Sequence, residues 1–274
     1  MAAETLIEAG RPGRRYWHEV WRFRELMLFL SWRDIVVRYR QTAIGVAWAL
    51  LKPLITVVIF TLIFGLLARL PSEGGAPYAL MVLAGLLPWL FFASVVNDAG
   101  NSLVNNERII TKTYFPRILV PGSAVAVCLL DFLVSGLVLA AALAWYGVAP
   151  DARVLALPAF VLLAVLAAAG PALLLAALNV RYRDVRFIVP FLLQLGLYVS
   201  PVGFSSTLVP DPWRLLYSLN PMAGVIDGFR WCLLAGDAAF YWPGPALSVA
   251  VSLAFLWAGL RYFRATERQI ADII

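Results

Sequence analysis

Six long apolar stretches alternate with shorter polar segments along the chain, at roughly Ile44–Leu67, Tyr78–Val96, Val120–Trp145, Val154–Leu178, Val185–Phe204 and Ala246–Phe263. Each contains about 18–26 residues, and a helix of about 20 apolar residues crosses a hydrocarbon core of roughly 30 Å. Backbone polar groups in lipid must pair within the segment, and a helix does this. The pattern therefore predicts an all-α integral membrane protein with six transmembrane helices.

Basic residues lie almost entirely on one side of these predicted spans. Of 22 Lys and Arg residues, 18 lie before or at the start of the first span, or after the second, fourth and sixth. The other side has only Arg69, Arg153, Arg214 and Arg230. Because cytoplasmic loops carry an excess of Lys and Arg, we predict that both termini are cytoplasmic.

The segment before the first span has its own pattern. Tyr16–Trp32 is compatible with a helix and combines Trp, Tyr and Arg, which suit the membrane interface. We expect this helix to lie along the inner leaflet. The chain is interpreted as one membrane domain, with an interfacial region at 1–42, a six-helix domain at 43–264 and a cytoplasmic tail at 265–274.

The long outer connection between the fifth and sixth spans is mostly apolar. It contains two segments, Leu208–Tyr217 and Met222–Leu234, and each is too short to span a membrane. Asn220 and Pro221 between them are typical of a helix N-cap and a first helical residue. We predict an outer re-entrant pair of helices.

Composition and missing motifs limit the chemistry of the chain. A hydrophobic fraction of 62% with 14% charged residues excludes an ordinary soluble protein. The basic residues flank spans, so membrane topology explains them and no nucleic-acid partner is expected. The two lysines, Lys52 and Lys112, do not follow glycine, which excludes a phosphate-binding Walker A loop. With one histidine, His18, and no metal-ligand spacing, we expect no metal site and no catalytic centre.

Two acidic residues, Asp98 and Asp131, fall in or near predicted spans. Ionisable groups inside a membrane are costly and are often functional. Asp98 is close to the inner end of its span, where a solvated or capping position suits it. Asp131 is deeper, and it either bonds a neighbouring helix or faces a polar pathway.

Several stretches share the pattern of a known family. They are LSWRDIVVRYRQTAIGVAWALLKPL at 30–54, LVNNERIITKTYFPRILVP at 103–121, NVRYRDVRFIVPFLLQLGLYVSPVGFS at 179–205, LYSLNPMAGVIDGFRWCLL at 216–234 and the tail YFRATERQIADII. Together they resemble the permease subunit of type-2 ABC exporters, in the branch that exports O-antigen, capsular polysaccharide and teichoic acid.

The resemblance implies a permease homodimer in the bacterial inner membrane, with two copies of a separate cytoplasmic ATPase subunit that binds ATP and Mg²⁺. It implies a glycan substrate on undecaprenyl diphosphate and a pathway lined mainly by the first and fifth spans. The residues that it places against the ATPase are Asn106, Glu107, Arg108, Lys112, Arg183 and Asp184. A short charged helix before Phe115-Pro116 would suit such docking, although an ordinary amphipathic loop has the same pattern.

Two further sets of residues are candidates for substrate contact. Arg33, Arg38 and Arg40 could hold the diphosphate through charge-assisted hydrogen bonds, or could serve only topology and leaflet contact. Aromatic rings could line a polysaccharide channel, because an aromatic face suits the apolar face of a sugar, or could form an interfacial belt. The channel candidates are Phe191, Tyr198, Phe204, Trp213, Tyr217, Phe229 and Trp231.

We therefore expect the membrane subunit of an ATP-driven polysaccharide exporter. The alternatives are a type-2 permease for another lipid, a drug or haem, and an ion-coupled secondary transporter. A membrane-embedded glycosyl or phosphoryl transferase is a further alternative. The scarcity of intramembrane acids argues against ion coupling, and the lack of clustered acids argues against a transferase.

Overall fold

A computed structural model describes residues 13–40, 45–234 and 240–273, and every regular element in these ranges is a helix. The α-helices are α1 (Gly13–Arg22), α2 (Arg24–Arg40), α3 (Gly45–Phe60), α4 (Tyr78–Asn105), α5 (Glu107–Lys112), α6 (Leu119–Trp145), α7 (Leu157–Arg181), α8 (Val185–Val199), α9 (Asp211–Tyr217), α10 (Pro221–Leu233) and α11 (Pro243–Ile273). A π-helical segment, Thr61–Leu67, continues α3, and 3-10 turns occur at Ala152–Ala156 and Ser206–Leu208. The predicted all-α fold is confirmed.

Within the described ranges, five helical segments are long and apolar enough to cross a membrane: Leu50–Leu67, Tyr78–Asn105, Leu119–Trp145, Ala152–Arg181 and Pro243–Glu267. The predicted fifth span is shorter than expected. Its helix, α8, has 15 residues and a length of about 22 Å. Ser200 precedes Pro201, which disfavours the helical conformation for that residue, and Ser200 is extended with ψ of 152°. The helix count of six is therefore not confirmed.

Helix α4 occupies the centre of the protein. Its residues Leu80–Leu87 are almost completely buried, and α6, α7 and α10 pack around it. In contrast, α3 and its π-helical continuation leave much of their apolar surface exposed, including Leu54, Leu62 and Leu66. The core therefore lies around α4, and α3 lies at the periphery of the chain.

The most extensive helix contact joins α7 to α11. At their crossing, a Cβ atom on Gly170 would lie 2.5 Å from the backbone of Leu256, and one on Gly259 would collide with the carbonyl of Gly170. Small residues allow close approach of helices in membranes. The two glycines therefore set the contact distance, and α11 continues beyond it through residue 264 into the segment expected as a tail.

The N-terminal and outer segments follow the sequence patterns closely. α1 and α2 form the predicted N-terminal helix, with a break at Phe23, and α2 packs against α6. In the outer connection, α9 and α10 are the two predicted short helices. The side chain of Asn220 accepts a hydrogen bond from the Met222 amide at 3.0 Å, so the predicted N-cap is confirmed.

Candidate functional site

A short helix that projects charged side chains follows the C-terminal end of α4. α4 ends at Asn105, and α5 follows after Asn106. Glu107, Arg108 and Lys112 on α5 are all exposed. Ile110 of the same helix is 4% exposed and packs with Phe115 in a small apolar cluster that includes Leu30 of α2. This anchoring holds a charged surface in a fixed position at the inner face.

Asn106, which also belongs to the predicted ATPase contact, is partly buried between α4 and α5. The last two residues of that contact, Arg183 and Asp184, lie in the turn between α7 and α8. Both are exposed. Within the part of the chain that the structure describes, no hydrogen bond or ion pair connects either of them to α5. They and α5 are thus two separate exposed surfaces rather than one bonded cluster.

The three arginines proposed for the diphosphate differ in their surroundings. Arg33 forms an ion pair with Asp34 at 2.6 Å and donates a hydrogen bond to Oδ1 of Asn106 at 2.7 Å. Arg38 donates to Asp98 at 2.7 Å and forms a second ion pair with Asp131. Arg40, at the end of α2, is exposed. The carboxylates thus already neutralise two of the three arginines.

Asp98 and Asp131, the two acidic residues in or near predicted spans, both pair with side chains of α2. Asp131 of α6 accepts hydrogen bonds from Arg38 and from the hydroxyl of Tyr39, while Asp98 of α4 pairs with the same arginine. Arg38 therefore ties α2 to both α4 and α6. Of the alternatives that the sequence left open for Asp131, the structure favours a bond to a neighbouring helix.

A polar cavity of about 540 Å³ lies among α2, α4 and α6 at the inner end of the helices. Its polar lining comprises Arg33, Asp34, Arg38, Asn97, Asp98, Asn101, Ser102, Asn105 and Asn106. The arginines and Asn106 are candidate residues from the sequence, whereas Asn97, Asn101 and Asn105 are not. A signal was present in the sequence: three asparagines recur at intervals of four, which places them on one helix face.

The predicted channel aromatics on α8 lie on an exposed face. Phe191 is 60% and Tyr198 57% exposed. The Tyr198 ring is stacked on Phe60 of α3, with 6.4 Å between centroids and 9° between ring planes. The shared face predicted for Phe191 and Tyr198 is thus open in the protomer, next to the exposed apolar surface of α3.

The remaining channel candidates fall into three environments. Trp213 on α9 is exposed. Phe204 and Tyr217 are partly buried, and their ring centroids are 6.4 Å apart. Phe229 is 2% exposed and packs edge-to-face against Phe132, so in the protomer its ring belongs to the core. Trp231 is partly buried in a cluster of aromatic rings with Phe240 and Trp242.

A fully buried arginine in α10, which sequence analysis placed simply among the outer basic residues, holds the outer region together. Arg230 is 1% exposed and donates hydrogen bonds to the carbonyls of Phe204 at 2.9 Å, Val202 at 3.0 Å and Met81 at 3.3 Å. It also pairs with Glu73 at 3.5 Å. It therefore connects α10 to α4 and to the non-helical segment after α8.

Beside Arg230 lies an acidic group with an altered pKa. Asp227 accepts a hydrogen bond from Ser206 at 2.6 Å, while its other carboxylate oxygen is buried without a partner. Burial raises the pKa of the Asp227 carboxyl to about 6, although the Ser206 hydrogen bond and the Arg230 charge oppose the rise. The carboxyl therefore titrates near neutral pH.

Comparisons with known protein sequences identify the family of the chain. The sequence pattern of the ABC-2 type transporter family matches residues 25–234. The chain is 29% identical over 259 residues to the O-antigen export system permease protein RfbA of Myxococcus xanthus, covering 93% of this chain and 98% of that protein. Two proteins of the same name from Klebsiella pneumoniae are 28% and 27% identical, each over 91% of this chain and 95% of its own length.

The family match extends from α2 to the end of the outer helices, and therefore includes α5, the polar cavity and the exposed face of α8. The family match explains the long apolar helices, because members of this family are multi-pass membrane transport subunits. Such a subunit has no need of its own catalytic centre, which is consistent with the absent Walker A loop. The chain belongs to the ABC-2 type transporter family.

Proposed function

We propose that this chain is the membrane subunit of an ATP-driven exporter that moves a lipid-linked polysaccharide across the bacterial cytoplasmic membrane. The relatives named O-antigen export permeases support this proposal, because the similarity extends over at least 91% of the chain. Two copies of a separate ATPase subunit bind ATP and Mg²⁺, and two copies of this chain form the pathway. The glycan is attached to undecaprenyl diphosphate, and both termini lie in the cytoplasm.

The observation that carries the proposal is the geometry of α5. A transporter driven by a soluble ATPase needs a rigid element at its inner face that transmits movement to the spans. α5 joins α4 to the segment leading into α6, exposes Glu107, Arg108 and Lys112, and is anchored by Ile110. Charged groups on a fixed helix suit docking to a polar protein surface. Arg183 and Asp184 would provide a second contact.

The exposed faces of α3 and α8 are suited to a pathway between two protomers. Phe191 and Tyr198 present aromatic rings there, and the buried Phe60 of α3 supports the Tyr198 ring from the protein side. A sliding polymer requires several weak contacts that tolerate changes of register, and stacking on rings is less directional than hydrogen bonding. These rings would be suitable contacts for a glycan.

A charge-swap experiment tests the docking. The chain is co-expressed with its ATPase and reconstituted, and ATP hydrolysis is measured with and without lipid-linked glycan. The variant Glu107→Lys with Arg108→Glu should keep the protein inserted but lose substrate-stimulated hydrolysis and export. The matched control is Arg24→Glu with Glu25→Lys, an exposed neighbouring pair on α2. Full export by the α5 variant would refute the assignment.

A further inference from the structure

The polar cavity lies at the depth of the inner-leaflet headgroups. The apolar part of α4, Tyr78–Val96, is 19 residues long and covers about 28 Å at 1.5 Å per residue. Asn97 and the residues after it therefore lie beyond the hydrocarbon core. The cavity volume of about 540 Å³ is within the range of roughly 300–1,000 Å³ that is typical of ligand sites.

Three asparagines form one side of this cavity, and we call them the carboxamide row: Asn97, Asn101 and Asn105. They are spaced by four residues, so they lie on one face of α4 at intervals of about 6 Å. The side-chain amide of Asn97 donates a hydrogen bond to the Asp98 carboxylate at 3.0 Å. The side-chain amide of Asn101 donates to the backbone carbonyl of Asn97 at 2.7 Å.

The carboxamide row keeps unused hydrogen-bonding capacity. A side-chain amide offers two N–H donors and an acceptor oxygen. Asn101 uses its oxygen to accept from Asn179 at 3.3 Å, which fixes its orientation. Among the described residues, no hydrogen bond engages the Asn105 side chain or the Asn97 side-chain oxygen. Donors and acceptors are therefore available side by side in the cavity.

The charge of the cavity lining favours an uncharged ligand. Two arginines and two aspartates line it, so their formal charges cancel. Arg33 is paired with Asp34, and Arg38 is paired with Asp98. A phosphate group placed inside would have to compete with these carboxylates. Neighbouring hydroxyl groups, which both donate and accept, match the amides without that competition.

Resting on the proposed function, we infer that the cavity binds an uncharged sugar, the one closest to the lipid diphosphate, and that the carboxamide row bonds its hydroxyls. The diphosphate itself stays outside the cavity, where it does not have to compete with the carboxylates that pair with Arg33 and Arg38. The protein thereby recognises the first sugar of the glycan separately from its charged lipid carrier.

Two lipids distinguish recognition of the sugar from recognition of the carrier. The permease–ATPase complex in nanodiscs is titrated with polyprenyl diphosphate alone and with polyprenyl diphosphate carrying one neutral N-acetylhexosamine. The wild type should bind the sugar-bearing lipid about tenfold more tightly, the factor that corresponds to roughly 1.4 kcal/mol. Asn97→Ala with Asn105→Ala should abolish this preference and leave binding of the sugarless lipid unchanged.

The outcomes separate this inference from the proposed function. The control Thr111→Ala, an exposed polar residue of α5 outside the cavity, should keep the preference, and melting temperatures verify folding of both variants. Equal affinity of the wild type for the two lipids, or an intact preference in the asparagine variant, would overturn the sugar site alone. If neither lipid binds or stimulates ATP hydrolysis, both the proposed function and the site are wrong.

Discussion

Replacement of the buried Arg230 by methionine should destabilise the outer region strongly. Its guanidinium donates to three carbonyls, at 2.9, 3.0 and 3.3 Å, and pairs with Glu73. Two of the acceptors, Val202 and Phe204, belong to the non-helical segment after α8. Backbone groups that are buried in a membrane protein need an internal partner, and Arg230 supplies it.

The size of the effect follows from two opposing contributions. A hydrogen bond to a charged group contributes about 1.5–3 kcal/mol, and Arg230 makes three. Burial of the guanidinium offsets several kcal/mol of this gain. Removal of one partner from a buried ion pair costs about 3–5 kcal/mol, because the remaining groups stay unpaired. We expect Arg230→Met to lower the free energy of unfolding by that amount.

The measurement compares three variants in mixed micelles, with denaturation by SDS followed through tryptophan fluorescence. Arg230→Lys keeps the charge, but one ammonium group does not reproduce the fork of the guanidinium, so its loss should be intermediate. Arg69→Met is the control, because Arg69 is an exposed outer arginine. If Arg230→Met costs less than about 1 kcal/mol, as exposed ion pairs do, the hydrogen bonds of Arg230 do not stabilise this region.

Three other predictions test packing, pathway and titration. Gly170→Leu should abolish assembly, because the leucine side chain would collide with the α11 backbone. Gly136→Leu is the control and should be tolerated, because the space around Gly136 is open. The yield of folded protein after detergent extraction measures the effect of both substitutions. Phe191→Ala with Tyr198→Ala should slow export of long glycans more than short ones, and equal loss at all lengths, tracking yield, would indicate packing instead. Because the Asp227 pKa is raised to about 6 from 3.8, the folded state binds the proton more tightly, so stability should fall as pH rises from about 4 to 6. The melting temperature of Asp227→Asn should no longer fall over this pH range. An unchanged slope of melting temperature against pH would contradict the role of Asp227.

The sequence predicted the spans because one physical requirement, an apolar stretch long enough to cross lipid, determines them almost alone. The same reasoning overestimated the length of the fifth predicted helix, α8. The apolar residues continue to Phe204, but the helix ends at Val199 because Pro201 restricts Ser200. Hydropathy measures side-chain polarity and does not register this restriction of the backbone.

The candidate site could be predicted only in part. The charged residues of α5 and the exposed face of Phe191 and Tyr198 follow from local spacing, because neighbours in a helix are fixed by its period. The burial of Phe229 depends on its contact with Phe132, 97 positions away along the chain. No local pattern indicates such a contact.

The helical class and the short charged helix after α4 follow from the sequence alone, since each depends on composition or spacing within one segment; the orientation stays a prediction from the distribution of Lys and Arg. The tertiary structure decided which groups meet. Arg38 pairs with Asp98 and Asp131, and Arg230 satisfies the carbonyls after α8, because packing brings together atoms from helices far apart in the chain. The Coulomb energy and the hydrogen bonds of a charged group depend on its distance to its partners, and only the folded protein sets that distance.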